Sequence, residues 1–223
     1  MSARSLTIAI DGPSGAGKGT VARTVAERLG YRYIDTGAMY RAVAWKAGRA
    51  GVDLHDEQAV AELARRAEIG LEPGVAIDGE DVTRAIRTPE VDAAAAVVAR
   101  HPAVRTVLVE RQREYGRGGG IVMEGRDIGT VVFPAADVKV FLDAAPEERA
   151  RRRAIDPAHT SARDARDVQG VAQALEARDR SDRTRSASPL MVAADAVYID
   201  TTGVTVPEVV DRVLTIVNEA MGQ

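Results

Sequence analysis

The stretch that decides the fold of this 223-residue chain is Gly12-Pro13-Ser14-Gly15-Ala16-Gly17-Lys18-Gly19-Thr20. An apolar run at residues 6–10 precedes it, and Val21, Val25 and Leu29 come after it at helical spacing. Its glycines allow a turn so tight that successive N–H groups point at one anion, and the next helix adds its unpaired N–H groups. A strand, a glycine-rich loop and a helix in this order predict a phosphate-binding loop, with Lys18 reaching the β- and γ-phosphates of a nucleotide.

The end of this loop departs from the usual pattern. Gly12 and Gly17 have the expected spacing before Lys18, but Gly19 stands where a serine or threonine is usual, and the hydroxyl comes one position later, at Thr20. This Gly-Lys-Gly-Thr ending is similar to the variant found in nucleoside monophosphate kinases. We therefore expect residues 12–20 to bind ATP.

Composition and charge restrict the class of protein. The chain is 45% hydrophobic and 28% charged, which is ordinary for a soluble globular protein. It has no cysteine, which excludes disulfides, thiolate metal sites and thiol catalysis. A net charge of −3 argues against a general nucleic-acid binder, and no apolar run approaches membrane-spanning length. We expect a cytoplasmic monomer with small-molecule substrates and neither nucleic-acid nor membrane partners.

The spacing of the apolar runs predicts an α/β fold with a doubly wound parallel sheet. Five short strands alternate with helices, which is typical of a sheet covered by helices on both faces. The predicted strands lie at 6–10, 31–34, 121–123, 138–142 and 196–199, and predicted helices include 38–50, 57–68, 89–102, 103–115 and 207–221. The first two strands are expected to close a β-α-β unit, and Asp78-Gly79 predicts a hairpin within 74–82.

Polar, glycine-bearing turns come directly after three of these strands. The phosphate loop lies after the first strand, residues 35–41 after the second, and residues 124–130 after the third. Ligands of such sheets gather at the carboxyl ends of the strands, so Arg41, Arg126 and Asp127 are candidate binding residues. The alternatives are a solvated helix arginine at Arg41 and a structural ion pair between Arg126 and Asp127.

The segment from Glu147 to Arg185 is rich in arginine. It is either a solvated, salt-bridged pair of helices or a mobile lid that closes over phosphates, with a bend at 156–161. Arg178, Asp182 and Arg185 fall at i, i+4 and i+7 and therefore share one helix face. That face offers two phosphate or sugar donors with an acceptor between them, and spacing alone leaves both alternatives open.

Six segments of the chain, 10–20, 35–41, 81–83, 86–91, 125–134 and 178–190, carry a resemblance to the bacterial cytidylate kinases over most of its length. Several of these segments are specific to that family among P-loop kinases. The resemblance implies a three-layer P-loop kinase core with a parallel five-stranded sheet, an inserted NMP-binding domain and a lid. The implied boundaries are 1–36, 118–148 and 186–223 for the core, 37–117 for the insertion and 149–185 for the lid.

The resemblance also implies an activity, which is transfer of the γ-phosphoryl group of ATP to CMP or dCMP with Mg²⁺. The matching positions are Thr36, Arg41, Arg126 and Arg185 for the acceptor phosphate, Arg178 and Asp182 for the ribose, and Arg105 and Asp127 for cytosine. Lys18, Arg126 and Arg185 are the candidate catalytic residues. Arg149 or Arg153 is expected to stabilise charge on the transferring group. Thr20 is the expected hydroxyl near the metal, with Asp11 and Asp35 as weaker candidates.

One position departs from the family pattern. The family commonly has a serine that helps to hold the base where this chain has Ala96, so one hydrogen bond, worth about 0.5–1.5 kcal/mol, is missing unless it is replaced.

Two alternatives to a cytidylate kinase remain from the sequence. One is a kinase for UMP, AMP or a non-nucleotide acceptor such as shikimate, and the other is a P-loop regulator that hydrolyses ATP or GTP slowly.

Overall fold

The computed structural model describes residues 5–155 and 168–222. In chain order its elements are β1 (Thr7–Asp11), α1 (Lys18–Leu29), β2 (Arg32–Asp35), α2 (Thr36–Arg49), α3 (Glu57–Arg66), β3 (Ile69–Gly70), β4 (Ala76–Ile77), β5 (Glu80–Asp81), α4 (Pro89–Val98), α5 (Pro102–Tyr115), β6 (Ile121–Gly125), a π-helical turn (Ile128–Val132), β7 (Val138–Asp143), α6 (Pro146–Ile155), α7 (Val168–Thr184), β8 (Val197–Asp200) and α8 (Val206–Met221).

A parallel sheet of five strands forms the centre of the fold, in the order β2-β6-β1-β7-β8. The predicted α/β class and all five predicted strands are confirmed. The predicted β-α-β unit is also confirmed, since β1 and β2 are parallel strands of this sheet joined by α1, although they are not adjacent. β6, a strand that comes much later in the chain, lies between them and pairs with both.

Helices cover both faces of this sheet. Ile8 and Ile10 of β1 point to one face, where they pack with Val25 of α1 and Val213 of α8. Ala9, between them, points to the other face and packs in a cluster that includes Val109 of α5 and the π-helical turn. Side chains alternate along a strand, so a strand buried on both faces is apolar on both, as β1 is from Ile8 to Ile10. The three-layer arrangement is confirmed.

Residues between β2 and β6 pack around two smaller apolar clusters. One joins α2, α3, α4 and α5 through side chains such as Met39, Val60 and Leu108. The other packs α2 against β4 and the chain around it, with Ile77 and Val82 buried. The antiparallel sheet β3-β4-β5 includes the predicted hairpin, whose turn residues both have positive φ.

The helix ends follow from local chemistry. Gly30 has φ 65° and ends α1 in the left-handed conformation. Asp35 accepts a hydrogen bond from the N–H of Ala38 and so caps α2, and Thr88 caps α4 in the same way, with proline at the first helical position. Thr205 and Glu208 form a capping box at the start of α8.

Strand register aligns the carboxyl ends of β1, β2 and β6. Asp11 pairs with Gly125, and Asp35 pairs with Glu124. The segments directly after these strands therefore leave the sheet at the same edge, as expected from the sequence.

The arginine-rich segment forms α6 and α7. The predicted bend at 156–161, together with Arg163 and Arg166, lies outside the described residues. Within the described part of the chain, no helix combines the length and apolar character needed to cross a membrane.

Candidate active site

The phosphate loop is held between β1 and α1 by unusual backbone angles and one buried lysine. Gly12 has φ 149°, and a Cβ at this position would lie 2.0 Å from the carbonyl oxygen of Leu142, so only glycine fits. Gly15 and Gly17 also have positive φ. Lys18 opens α1, is 5% exposed, and donates from Nζ to the carbonyl oxygen of Pro13 at 2.7 Å. The loop thus curls around its own lysine.

Gly19 lies beside two polar side chains of the neighbouring strands. A Cβ at this position would begin 3.4 Å from Oε1 of Glu124 and 3.4 Å from the hydroxyl oxygen of Tyr33. An added Cβ would thus only touch these two atoms, so the space at this position does not by itself require glycine. Thr20, one position later, has its side chain exposed.

Lys18 and Glu124 are two buried ionisable groups beside the loop, and each affects the pKa of the other. Burial and the nearby guanidinium of Arg126 lower the pKa of Lys18 to about 7. Burial and the charge of Asp35 raise the pKa of Glu124 above its ordinary value. Both shifts favour the neutral forms, as low-dielectric surroundings do. An added anion near Lys18 would therefore raise the pKa of its amine.

Arg41 lies on α2, directly after β2, and is held by a carboxylate. Its Nη2 donates to Oδ2 of Asp35 at 2.7 Å, and Nη2 of Arg87 lies 3.8 Å from the same oxygen. Arg41 is 7% exposed, so the alternative of a solvated helix arginine is wrong. Burial opposes ionisation of Asp35, but Arg41 and Arg87 hold its pKa below the ordinary value. The Thr36 hydroxyl donates to the carbonyl oxygen of Glu124 at 2.8 Å.

Arg126 and Asp127 turn to different partners. Nε of Arg126 donates to Oδ2 of Asp182 at 2.9 Å, whereas Asp127 accepts a hydrogen bond from Arg105. Nη2 of Arg185 lies 3.8 Å from Oδ1 of Asp127, and its Nη1 lies 3.5 Å from Oδ1 of Asp182. The alternative of an ion pair between Arg126 and Asp127 is therefore not what these side chains form.

Helix α7 has one face toward the cleft and one exposed face with a salt bridge, so both alternatives that the sequence left open apply to part of it. Arg178 and Asp182 face the cleft with Arg185, which lies just beyond the helix, while Arg180 pairs with Glu176 on the exposed side. Burial and the like charge of Arg126 lower the pKa of Arg178. Burial opposes ionisation of Asp182, but Arg126, Arg178 and Arg185 hold its pKa below the ordinary value.

These side chains line one cleft of about 1290 Å³. The lining includes Ser14, Gly15, Ala16, Gly17, Lys18, Gly19, Thr20, Thr36, Arg41, Ala96, Arg105, Arg126, Asp127, Arg178, Asp182 and Arg185. Gly12 and Pro13 lie at the base of the loop, outside this lining. The structure thus brings the predicted donor and acceptor residues to a shared cavity.

Two arginines of α6 differ in position. Arg149 is buried, donates to the carbonyl oxygens of Ser14 and Ala144 at 3.0 Å each, and pairs with Asp179. It supports the phosphate loop from behind and is not a cleft residue, so its expected role at the transferring group is wrong. Arg153 lines the cleft and pairs with Asp92 of α4.

Asp11 and Asp35, the weaker metal candidates, both make hydrogen bonds that stabilise the fold. Both carboxylate oxygens of Asp11 accept backbone N–H groups, from Ile128 at 2.8 Å and Gly129 at 2.7 Å. Burial raises the pKa of Asp11 to about 6 against the effect of these bonds. Asp35 caps α2 and pairs with Arg41. Among the residues that the structure describes, no cluster of three or more histidine, aspartate or glutamate side chains could hold a metal by itself.

Three further polar side chains were not predicted from the sequence as site residues: Glu124 and Arg87 line the cleft, and Asp92 pairs with the cleft residue Arg153. Glu124 directly precedes Gly125-Arg126-Asp127 at a strand end, so the same placement argument would have found it. Arg87 lies between β5 and α4, in a segment that carries the family resemblance but was given no role, and Asp92 lies in α4, where no local signal marks it. Their positions depend on how these elements pack across from α6 and α7.

Known proteins resemble this chain in sequence and in fold. A family profile described as cytidylate kinase matches residues 8–219. The cytidylate kinase of Geobacillus kaustophilus (strain HTA426) is 50% identical over 224 residues, covering 98% of this chain and 99% of the relative. That of Desulfitobacterium hafniense (strain Y51) is 49% identical over 220 residues, covering 97% and 94%. A gluconokinase structure from Sinorhizobium meliloti 1021 shares the fold, with a TM-score of 0.53 at 14% identity over 98% of this chain and 95% of that one. The chain belongs to the cytidylate kinase family.

Proposed function

We infer that the protein transfers the γ-phosphoryl group of ATP to CMP and dCMP, forming CDP and dCDP. The observation that carries this function is the shared cleft, in which a phosphate-binding loop faces a group of buried arginines. A loop that holds ATP phosphates needs no such second set of cations, whereas transfer to a phosphate acceptor does. Membership of the cytidylate kinase family supports the same reaction.

The donor side of the cleft is formed by the loop of residues 12–20. Its N–H groups and Lys18 hold the ATP phosphates, and the charge of Lys18 offsets the charge that builds up during transfer. Mg²⁺ with ATP is the proposed cofactor. A threonine hydroxyl exposed at the cleft fits the hard-oxygen donors that Mg²⁺ prefers alongside substrate phosphates and water, so Thr20 would hold it. When bound, the ion neutralises charge on the β- and γ-phosphates.

The acceptor side orients and neutralises the phosphate of CMP. Thr36, Arg41, Arg126 and Arg185 are the proposed contacts to this phosphate. Arg178 and Asp182 are the proposed contacts to the ribose, since they combine a donor and an acceptor on one helix face. Arginine forks suit phosphate oxygens because they can donate two hydrogen bonds at once.

The base site is proposed at Arg105 and Asp127. A carboxylate accepts from the exocyclic amine of cytosine, and uracil has a carbonyl oxygen at that position, which the carboxylate repels. The ion pair with Arg105 holds Asp127 in place, and both residues are less than a tenth exposed. Ala96 lies in the same lining and supplies no hydroxyl.

The proposed mechanism is positional and electrostatic. The acceptor phosphate oxygen is ionised near neutral pH, so attack on the γ-phosphorus needs no strong general base. Lys18, Arg126 and Arg185 hold donor and acceptor in line and stabilise charge on the transferring group, with Arg153 as the cleft arginine of α6. We further propose that the protein works in the cytoplasm as a monomer, without nucleic-acid partners.

The proposed function predicts a clear order of acceptors. With MgATP, we expect CMP and dCMP to be phosphorylated with kcat/KM roughly 5- to 150-fold above UMP, the discrimination typical of one well-placed base contact. A coupled assay of ADP release with CMP, dCMP, UMP, AMP and GMP measures this. Equal rates with UMP would refute the base site alone. ATP hydrolysis that no acceptor stimulates would favour a P-loop regulator.

Lys18 predicts proton uptake when ATP binds. Its pKa of about 7 in the free protein leaves the amine largely neutral at pH 8, and bound phosphates raise this pKa, so binding must protonate it. We expect uptake of about one proton per ATP at pH 8, where a phosphate with a second pKa of about 6 is already ionised. Affinity should fall as pH rises from 7 to 9. Calorimetry in two buffers of different ionisation enthalpy measures the uptake, and Lys18→Met should abolish it.

Substitution of Arg126 is expected to lower activity without a comparable loss of stability. Arg126→Ala should lower kcat/KM for CMP by roughly 10²–10³-fold, the usual effect of removing one charge-stabilising donor. Asp182 keeps Arg185 as a neighbour, so we expect the variant to fold. Arg28→Ala, which removes an exposed ion pair with Asp211, is the matched control. A folded Arg126→Ala variant with unchanged kcat/KM would contradict the assignment.

A serine in place of Ala96 is expected to supply the missing hydroxyl at the proposed base site. Ala96→Ser should raise kcat/KM for CMP by roughly two- to tenfold, equivalent to one hydrogen bond of about 0.5–1.5 kcal/mol. The rate with UMP should stay the same or fall. Ala93→Ser, at an exposed position on α4 outside the cleft, is the control. No gain for CMP would mean that Ala96 does not face the base.

A further inference from the structure

A carboxylate on α4 reaches across to arginines on α6 and α7. Asp92 pairs with Arg153, and its Oδ1 lies 3.4 Å from Nη1 of Arg178. The side chain of Asp92 is 12% exposed, and each of the two arginines is 20% exposed. Arg153 and Arg178 line the cleft, and none of the roles proposed above uses Asp92.

Helix stabilisation alone does not account for this placement. An acidic residue in the first turn of a helix is favourable by about 0.3–1 kcal/mol, but Glu90 already serves this turn of α4, and Thr88 caps it. A helix-end interaction also needs no partner elsewhere. Asp92 instead bonds to an arginine 61 positions along the chain.

The charges around Asp92 are those of the proposed phosphate site. After Asp35, Asp92 is the next carboxylate whose charge raises the pKa of Arg41. It also opposes the fall in the pKa of Arg178 that burial and Arg126 cause. Asp92 is thus a counter-anion shared by arginines from α2, α6 and α7. A carboxylate and a phosphate present similar pairs of oxygens to a guanidinium fork.

We infer that Asp92 is a positioning residue that holds Arg153 and Arg178 beside the acceptor side of the cleft until CMP binds, when the ribose becomes the partner of Arg178 and the nearby CMP phosphate replaces Asp92 as the anion that balances these arginines. This inference rests on the proposed function. This exchange of partners leaves neither of the partly buried arginines without compensation. It also weakens CMP binding, because the bond to Asp92 must be given up and its negative charge lies near the incoming phosphate.

The test is the affinity for CMP of Asp92→Asn, measured by calorimetry without ATP. We expect the Kd to be roughly threefold to tenfold lower than in the wild type, as for release of one or two partly buried ion pairs. Asp92→Glu keeps the anion, and its Kd should stay within about twofold of the wild-type value. Asp211→Asn, at an exposed pair with Arg28, makes the same change in net charge away from the cleft and should leave the Kd unchanged.

The sign of the change separates this role from a merely structural one. Loss of a structural ion pair lowers the melting temperature and leaves CMP binding unchanged or weaker, and unchanged or weaker binding by Asp92→Asn would overturn the inference. If this variant is unfolded at the calorimetry temperature, the CMP-induced rise in its melting temperature replaces the titration, and we expect a larger rise than in the wild type. Wild-type protein that does not bind CMP would overturn the proposed function as well, whereas normal wild-type binding confines the failure to Asp92.

Discussion

Charge compensation of the buried arginines is the interaction on which the cleft depends. Arg41, Arg105 and Arg185 are each less than a tenth exposed. A guanidinium buried without a partner would cost several kcal/mol, so each needs a carboxylate at a fixed place. Asp35 and Asp127 supply it from the chain at the carboxyl ends of β2 and β6, and Asp182 supplies it from α7. The same ion pairs therefore hold the elements together and arrange the groups proposed to receive substrate.

Local sequence predicts where the strands and helices of this fold lie better than it predicts which of them become neighbours. Val138, Val140, Phe141 and Leu142 of β7 are apolar because they are buried in the sheet, and the cap at Thr88 with Pro89 fixes the start of α4. Strand order depends on pairings between distant segments, so the position of β6 between β1 and β2 left no local signal. The π-helical turn depends on two bonds to Asp11, from more than a hundred residues away, and was equally unpredictable.

The same distinction applies to the cleft. Residues beside a strand end, such as Thr36 and Arg126, could be placed because parallel strands all end at one edge of the sheet. The hydrogen-bond partners of these residues could not be predicted from the sequence. Arg126 pairs with Asp182 rather than with adjacent Asp127 because neighbouring side chains leave a strand end in different directions. Arg149 turned out to support Ser14, since helix packing, not sequence spacing, decides which face of α6 is buried.

The order of the strands has a consequence for the newly made chain. β1 carries the phosphate loop at its end, yet its neighbours in the sheet are β6 and β7, and Gly12 fits against Leu142 of β7. The loop leaves the ribosome before the strands that shape it, which follow more than a hundred residues later in the chain. At about 5–20 residues per second, the delay between them is on the order of ten seconds. A nascent chain therefore carries the complete loop sequence well before it has a nucleotide site, and nucleotide cannot assist the early steps of its folding.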